Sequence, residues 1–247
     1  MQHASVTGHA ARGIVPTTLI IIVLAMILLT IPAFGQQTYV TRYDIFTGYT
    51  YLNSPKISLP EHGFHLQAGF RPKTWYSIGF DFSTATGDLH LTPDLLPTAM
   101  QQSLGAQLGQ LAALGRLPAG YKLAVPAASS TKTFTVGPQL AYRHWKPVTL
   151  FLRPSIGAIH EVATPQPADP IATLIVKQLA PAGKKQDWTV FYGFGGGADF
   201  LFSKHLGLRV QADLVRDHLF NDILRESRGT VRFSVGPCFN FGRNIVE

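Results

Sequence analysis

Along most of the chain, apolar side chains alternate with small or polar ones, and a period of two is the pattern of a half-buried β-strand. In the last such segment, Val231 and Phe233 alternate with Arg232 and Ser234. Seven segments upstream follow the same rule. The eight segments cover residues 43–52, 64–71, 76–83, 133–143, 150–159, 188–202, 205–214 and 231–241. This pattern predicts an all-β protein with eight antiparallel strands.

The charged residues within these segments all belong to one of the two alternating faces. They are Asp44, Arg71, Asp81, Arg143, Arg153, Asp199, Arg209, Asp213 and Arg232. A soluble β-sandwich would instead turn its apolar face inward and carry its charges outside. An Arg or Lys facing lipid at mid-bilayer costs about 2–4 kcal/mol, so a membrane barrel keeps such residues in its lumen. We therefore predict an eight-stranded antiparallel up-and-down transmembrane β-barrel.

The lengths of the connections agree with this fold, because outer-membrane barrels alternate short periplasmic turns with longer outside loops. The short turns lie near residues 72–73, 146–147 and 203–204. The longer segments are residues 54–60, 87–130, 163–186 and 217–229. Aromatic residues gather near both ends of the strands, as expected for two interfacial girdles. An even number of strands places both ends of the barrel domain in the periplasm.

The longest loop segment, residues 87–130, has a helical pattern. Between Met100 and Leu114, apolar residues recur at spacings of three and four. The Thr92-Pro93 pair upstream is typical of a cap and first helical turn. We therefore predict a short amphipathic helix in this extracellular loop.

The loop segment 163–186 has a second helical pattern. Asp169-Pro170 precedes the apolar run 171–176, and Pro181 and Gly183 follow it. Two interpretations of both loop helices remain open at this point. Their apolar faces pack on each other or on the barrel rim, or they form a cap or docking surface for a lipid, a ligand or an unknown surface partner.

The N-terminal region predicts export. Residues 19–31 form one apolar run, which Arg12 precedes and the small residues Ala33 and Gly35 follow. A spanning helix needs about 20 apolar residues, so this run is too short for a membrane anchor. The arrangement is that of a cleavable secretory signal peptide at residues 1–35.

Residues 36–247 then form a single barrel domain. This part carries 20 basic and 14 acidic side chains, a net charge of +6. Cys238 is the only cysteine in the sequence, so no internal disulfide can form. Nucleic acid is not an expected partner, because the protein is exported and its basic residues form no concentrated stripe.

The last strand also contains a short motif with the order polar, any, Gly, any, any, aromatic, any, aromatic, at Ser234, Gly236, Phe239 and Phe241. This motif resembles the sorting signal on the closing strand of bacterial outer-membrane barrels. With its strand pattern and loop rhythm, the chain resembles the OmpA/OmpX-type family of small eight-stranded barrels. The resemblance implies location in the outer membrane of a Gram-negative envelope and the barrel-assembly machinery as a folding partner.

Catalytic chemistry is not expected. Some outer-membrane barrels modify lipid A with a His and a Ser or carboxylate, which makes His160, Glu161, Ser155 and His90 the residues to consider. His160 lies on the opposite strand face from both Glu161 and Ser155, which prevents a catalytic dyad. The histidines are scattered along the sequence, so no metal site and no cofactor are predicted.

Two functions remain compatible with the sequence. Eight strands enclose a lumen that side chains just fill, so the lumen charges form either a packed ion-pair network or a narrow polar path. The first predicts a non-enzymatic protein with a structural or surface-interaction role in the envelope. The alternative is a narrow porin-like channel for ions or small polar solutes. Expected partners are outer-membrane lipid and lipopolysaccharide, whose phosphates loop cations would meet.

Overall fold

The computed structural model describes residues 37–224 and 228–246, so the predicted signal peptide at residues 1–35 lies outside the described residues. Eight strands close into one barrel, and each pairs antiparallel with the next, while β1 pairs with β8. In chain order they are β1 (Thr41–Ser54), β2 (Leu59–Phe70), β3 (Tyr76–Leu91), β4 (Val125–Tyr142), β5 (Val148–Pro165), β6 (Lys185–Leu201), β7 (Leu206–Asp217) and β8 (Arg228–Asn244). The predicted fold class is confirmed.

The barrel is apolar outside and polar inside, the inverse of a soluble protein. Phe80, Phe194 and Leu214 point outward and are 57%, 55% and 62% exposed. Asp81, next to Phe80, and Arg209, in the same strand as Leu214, point inward and are 1% and 0% exposed. The alternation in the sequence therefore separates a lipid-facing surface from a lumen.

Three short turns and both described chain ends lie at one end of the barrel, which we call the turn end. The opposite side is the loop end. The strands reach further toward the loop end than the sequence indicated, so the long loops shrink from 87–130 to residues 92–124 and from 163–186 to residues 166–184.

The longer strands also contain charges outside the predicted segments, and two of these face away from the lumen. Lys132 in β4 and Arg216 in β7 point outward and are exposed. The longest strands have 18 residues. At about 3.3 Å per residue and about 40° of tilt, such a strand rises roughly 45 Å, against an apolar band of about 25 Å. Both cations belong to strand portions near the loop end, where the barrel extends past that band.

Two α-helices lie in the loops, α1 (Thr98–Ala113) and α2 (Pro170–Leu179), and two 3-10 turns span Pro55–Ile57 and Pro93–Leu95. The predicted helix start at Thr92-Pro93 is wrong, because that pair begins the 3-10 turn. Leu96 is held extended before Pro97, which separates the turn from α1. Within the described ranges, no helix is both long and apolar enough to cross a membrane.

Candidate functional site

The lumen contains two groups of ion pairs, and the first lies in the half nearer the turn end. Arg209 donates from Nε to Asp199 Oδ1 at 2.6 Å and from Nη2 to Asp199 Oδ2 at 2.8 Å. Arg209 Nη2 also lies 3.1 Å from Asp44 Oδ2, and Arg71 Nη2 lies 3.1 Å from Asp44 Oδ1. Two carboxylates and two guanidinium groups therefore neutralise each other without water access.

The second group lies further along the lumen. Asp81 Oδ2 is 2.7 Å from Arg153 Nη1 and 3.4 Å from Arg232 Nη2. Arg232 Nη2 is also 2.9 Å from Asp213 Oδ2, and His65 Nε2 lies 3.5 Å from Asp81 Oδ2. Because Asp81, Arg153 and Arg232 belong to β3, β5 and β8, this group crosses the lumen rather than following one wall.

Arg143 differs from the other eight predicted lumen charges. It follows Tyr142, the last residue of β4, so it lies at the mouth of the barrel. Its guanidinium donates to neutral oxygens: the Thr74 carbonyl at 2.8 Å, Thr149 Oγ1 at 2.8 Å and Gln37 Oε1 at 3.3 Å. Arg143 thus joins a hydrogen-bonded closure of the mouth rather than an ion pair with a described residue.

The chain before β1 completes this closure. Gln37 is buried, and its amide donates to Thr149 Oγ1 at 2.9 Å and to the Trp145 carbonyl at 3.1 Å. In an eight-stranded ring the β4–β5 turn lies opposite β1, so residues 37–40 cross the mouth at the turn end. At the β1 side, Val40 N donates to Asn244 Oδ1 at 2.9 Å. No sequence pattern signals this crossing.

At the loop end the lumen is filled by apolar side chains, which we call the apolar plug. Inward strand residues and residues of two loops form it in two clusters, and Leu224 packs against both. Its buried members are Ile57, Leu59, Leu89, Ala127, Ile159, Ala163, Phe191, Val215, Leu219 and Phe220. The expectation of a uniformly polar lumen is therefore wrong for this end. The apolar residues Ile159 and Phe191 on the inward face were the available sequence signal.

A polar cluster missed by the sequence analysis lies beside the apolar plug, since Glu161 comes between the plug residues Ile159 and Ala163 in β5. Ser129 Oγ lies 3.0 Å from Glu61 Oε1 and 3.1 Å from Glu161 Oε1, and Thr131 Oγ1 donates to Glu61 Oε1 at 2.8 Å. Glu61 lies on the same inward face of β2 as His65. Extending the alternating pattern upstream would therefore have predicted that Glu61 faces the lumen.

The loop helices pack together into a small domain-like unit, the helical cap, formed by residues 92–124 and 166–184. Its core contains Leu96, Leu104, Leu123, Val125, Ala172 and Ile175. Because α1, α2 and the ends of two strands share this core, the apolar faces of the helices are largely occupied by each other. Leu114 and Leu174 remain 68% and 60% exposed on the cap surface.

One hydrogen-bonded junction ties the two cap loops. Tyr121 donates its hydroxyl to the Asp169 carboxylate, at 3.0 Å from Oδ2, and Asp169 Oδ1 accepts from Ala172 N at 2.8 Å as the N-cap of α2. The Ala172 N–H, with help from Tyr121, lowers the pKa of Asp169 below its ordinary value. Burial and the adjacent carboxylate raise the pKa of Tyr121. The junction is therefore intact when Asp169 is ionised and Tyr121 is neutral.

The four residues of the predicted assembly motif lie on both sides of β8. Ser234 is buried in the lumen, where Oγ lies 2.9 Å from His65 Nδ1. Gly236 packs at the β1–β8 seam, where an added Cβ would meet the Thr47 carbonyl oxygen at 2.2 Å. Phe239 and Phe241 point outward and are exposed. The motif thus presents two aromatic side chains on the lipid-facing surface.

The residues considered for catalysis are not brought together. His160 stacks outside the barrel on Trp188, with ring centroids 4.3 Å apart, whereas Glu161 is buried inside and bonds Ser129. His90 is exposed on β3. Across residues 37–224 and 228–246, no group of three or more His, Cys, Asp or Glu could hold a metal ion.

No protein-family model and no curated protein sequence matches this chain. Solved structures do match. Neisserial surface protein A (NspA) superposes with a TM-score of 0.50 at 9% identity, covering 81% of this chain and 96% of its own. The attachment invasion locus protein Ail of Yersinia pestis gives a TM-score of 0.47 at 10% identity, covering 82% and 99%. The chain therefore has the fold of the small eight-stranded outer-membrane β-barrels.

Proposed function

We propose that this protein is a closed outer-membrane barrel of a Gram-negative envelope, without enzymatic activity, that holds the helical cap at the cell surface. The observation that carries this proposal is the filling of the lumen. Residues 37–40 cross one mouth, two ion-pair groups occupy the middle, and the apolar plug lies toward the other end beside the buried Glu61 and Glu161. A channel needs a continuous polar path, and the apolar plug opposes one.

The helical cap supports a surface-interaction role. The side chains in the lumen already close the barrel, so closure does not require helices above it. Even so, α1 and α2 pack into a unit with a hydrophobic core of its own. Rigid loops on a stable scaffold are the common place for binding functions. The cap is therefore the part of this protein that would meet a surface partner.

Lipopolysaccharide is the lipid partner proposed at the loop end. Lys132, Arg216 and His160 point outward there, and His160 stacks on the exposed Trp188 of the aromatic girdle. Cations just beyond an apolar band lie at the level of lipid phosphates. Lys132 and Arg216 would hold the barrel among lipopolysaccharide phosphates.

Orientation can be tested by cysteine labelling in intact cells. Cys238 is fully buried, so it does not compete for a membrane-impermeant maleimide. Leu114→Cys, on the cap surface, should be labelled in intact cells. Lys146→Cys, in the β4–β5 turn, should react only after permeabilisation. The opposite pattern, or labelling of neither position in folded protein, would contradict the proposed display of the cap.

A further inference from the structure

The turn end of the barrel carries a group of cations, which we call the basic rim. They come from both terminal strands and from all three turns: Arg42, Lys73, Arg143, Lys146, Lys204 and Arg243. The acids nearest to this end, Asp44 and Asp199, are buried and bonded to lumen arginines. Among the residues that the structure describes, none of the six cations forms an ion pair.

This one-sided charge is specific to the turn end. At the loop end, cations alternate with carboxylates, and Lys185, for example, pairs with Asp222. Among the described residues, the acids there that are not buried are Asp88, Asp94, Asp169, Asp187 and Asp222. The positive charge of the rim is therefore not simply the net charge of the protein spread over its surface.

The basic rim lies beside the lipid-facing aromatic side chains. The Arg42 guanidinium lies 5.8 Å from the ring centre of Phe70, a residue on the outer surface of β2. A register shift between Thr41 and Tyr43 accompanies this position, while Thr41 stays buried and bonds Arg71 inside. This register shift turns the Arg42 side chain from the lumen side toward the lipid interface.

Part of the basic rim surrounds an open depression of about 890 Å³ at the mouth. Its lining includes four of the six cations together with two aromatic residues: Arg42, Lys73, Arg143, Arg243, Trp75 and Tyr142. The volume is in the range of small-molecule sites. Cations that repel one another around such a space are stabilised by an anion placed between them.

We propose that the basic rim binds the phosphate groups of anionic phospholipids in the leaflet next to the turn end. Basic clusters beside a membrane surface are a recognised arrangement for anionic head groups. A site for a free anion would be confined to the depression, whereas Lys146 and Lys204 lie on turns outside its lining and extend the positive charge around the rim. This interaction goes beyond the surface role of the cap and anchors the opposite end of the barrel.

The test uses the folded protein in mixed vesicles of zwitterionic phosphatidylcholine and anionic phosphatidylglycerol, followed by native mass spectrometry of retained lipid. The variant Lys73→Gln/Lys146→Gln/Arg243→Gln removes three exposed cations whose side chains donate no described hydrogen bond. The unmodified protein should retain the anionic lipid preferentially. The variant should lose that preference by about a hundredfold, since each cation near an anionic surface contributes about fivefold.

A matched control, Lys122→Gln/Lys177→Gln/Lys184→Gln, removes the same charge from exposed positions of the helical cap. Equal loss in control and variant would overturn the proposal, as would equal retention of both lipids by the unmodified protein. Displacement of the lipid by millimolar inorganic phosphate would assign the rim to a free anion instead. Heat-dependent gel migration identifies unfolded samples, and loss of lipid preference at high salt in the unmodified protein provides a test that needs no variant.

Discussion

The ion pair between Arg209 and Asp199 allows a stability prediction. Arg209 is fully buried and makes two charge-assisted hydrogen bonds to Asp199 and one to Asp44. The rings of Phe46 and Phe151 lie 5.7 and 4.9 Å from its guanidinium carbon. Arg209→Met keeps most of the apolar stem while removing the charge, so the Asp199 carboxylate remains buried without this partner.

Removing one member of a buried ion pair costs about 3–5 kcal/mol, because the other charge stays desolvated. We expect Arg209→Met to lower the free energy of unfolding by that amount. The double variant Arg209→Met/Asp199→Asn should recover at least about 1 kcal/mol, since contacting residues couple by roughly 0.5–3 kcal/mol. Exposed Lys122→Met is the control and should change the free energy by less than about 0.5 kcal/mol.

The assay is equilibrium unfolding by denaturant in phospholipid vesicles, followed by tryptophan fluorescence. Solute flux through the same vesicles should not change, because residues 37–40 and the apolar plug still close both ends. A loss below about 1 kcal/mol for Arg209→Met, or no recovery in the double variant, would refute the assignment of this pair as structural. A rise in flux would indicate that Arg209 instead blocks a path.

Three further predictions concern the cap and the closing strand. In the folded protein the pKa of Asp169 lies below 3.8, the ordinary value for an Asp. The ionised carboxylate therefore stabilises the helical cap fully above pH 3.8. This stabilisation is lost as the pH falls through the lower folded-state pKa. Pepsin cleavage in residues 92–124 should rise only in that acidic range, and Asp169→Asn should remove this pH step. Phe241→Ala removes an outward ring whose centre lies 5.5 Å from that of Tyr43. It should reduce assembly of the barrel in cells but not refolding of the purified protein in detergent. Equal defects in cell assembly and in refolding would contradict a sorting role. Deletion of residues 98–116 should leave the heat-dependent gel shift intact, and its loss would make α1 part of the barrel fold.

The barrel itself could be predicted because lipid imposes a residue-by-residue constraint. A charge facing hydrocarbon is costly, so the alternation of Phe80 with Asp81 is visible without knowledge of any neighbour. The same reasoning failed outside the hydrocarbon region, where lipid no longer restricts which face a charge occupies. Lys132 points outward beyond the apolar band, and Arg143 follows the last residue of its strand. The alternation of faces alone therefore did not predict the position of either side chain.

The closures of the lumen depend on contacts distant in sequence. Gln37 bonds Thr149 across the mouth, 112 positions away, and no local pattern marks such a pair. The apolar plug combines inward strand residues with Leu219 and Phe220 from a loop that has no strand periodicity. In contrast, the Asp169 N-cap was predictable, because Asp before Pro at a helix start is a local signal.

The central claim is that the lumen is closed, and single-channel recording in planar bilayers tests it most directly. The protein should first show the gel shift of a folded barrel when it is not boiled. Since residues 37–40 cross one mouth, and the ion pairs and the apolar plug are buried within the lumen, we predict a silent bilayer at all salt concentrations. Discrete current steps that grow with salt would contradict the closed barrel and assign the protein to the channels.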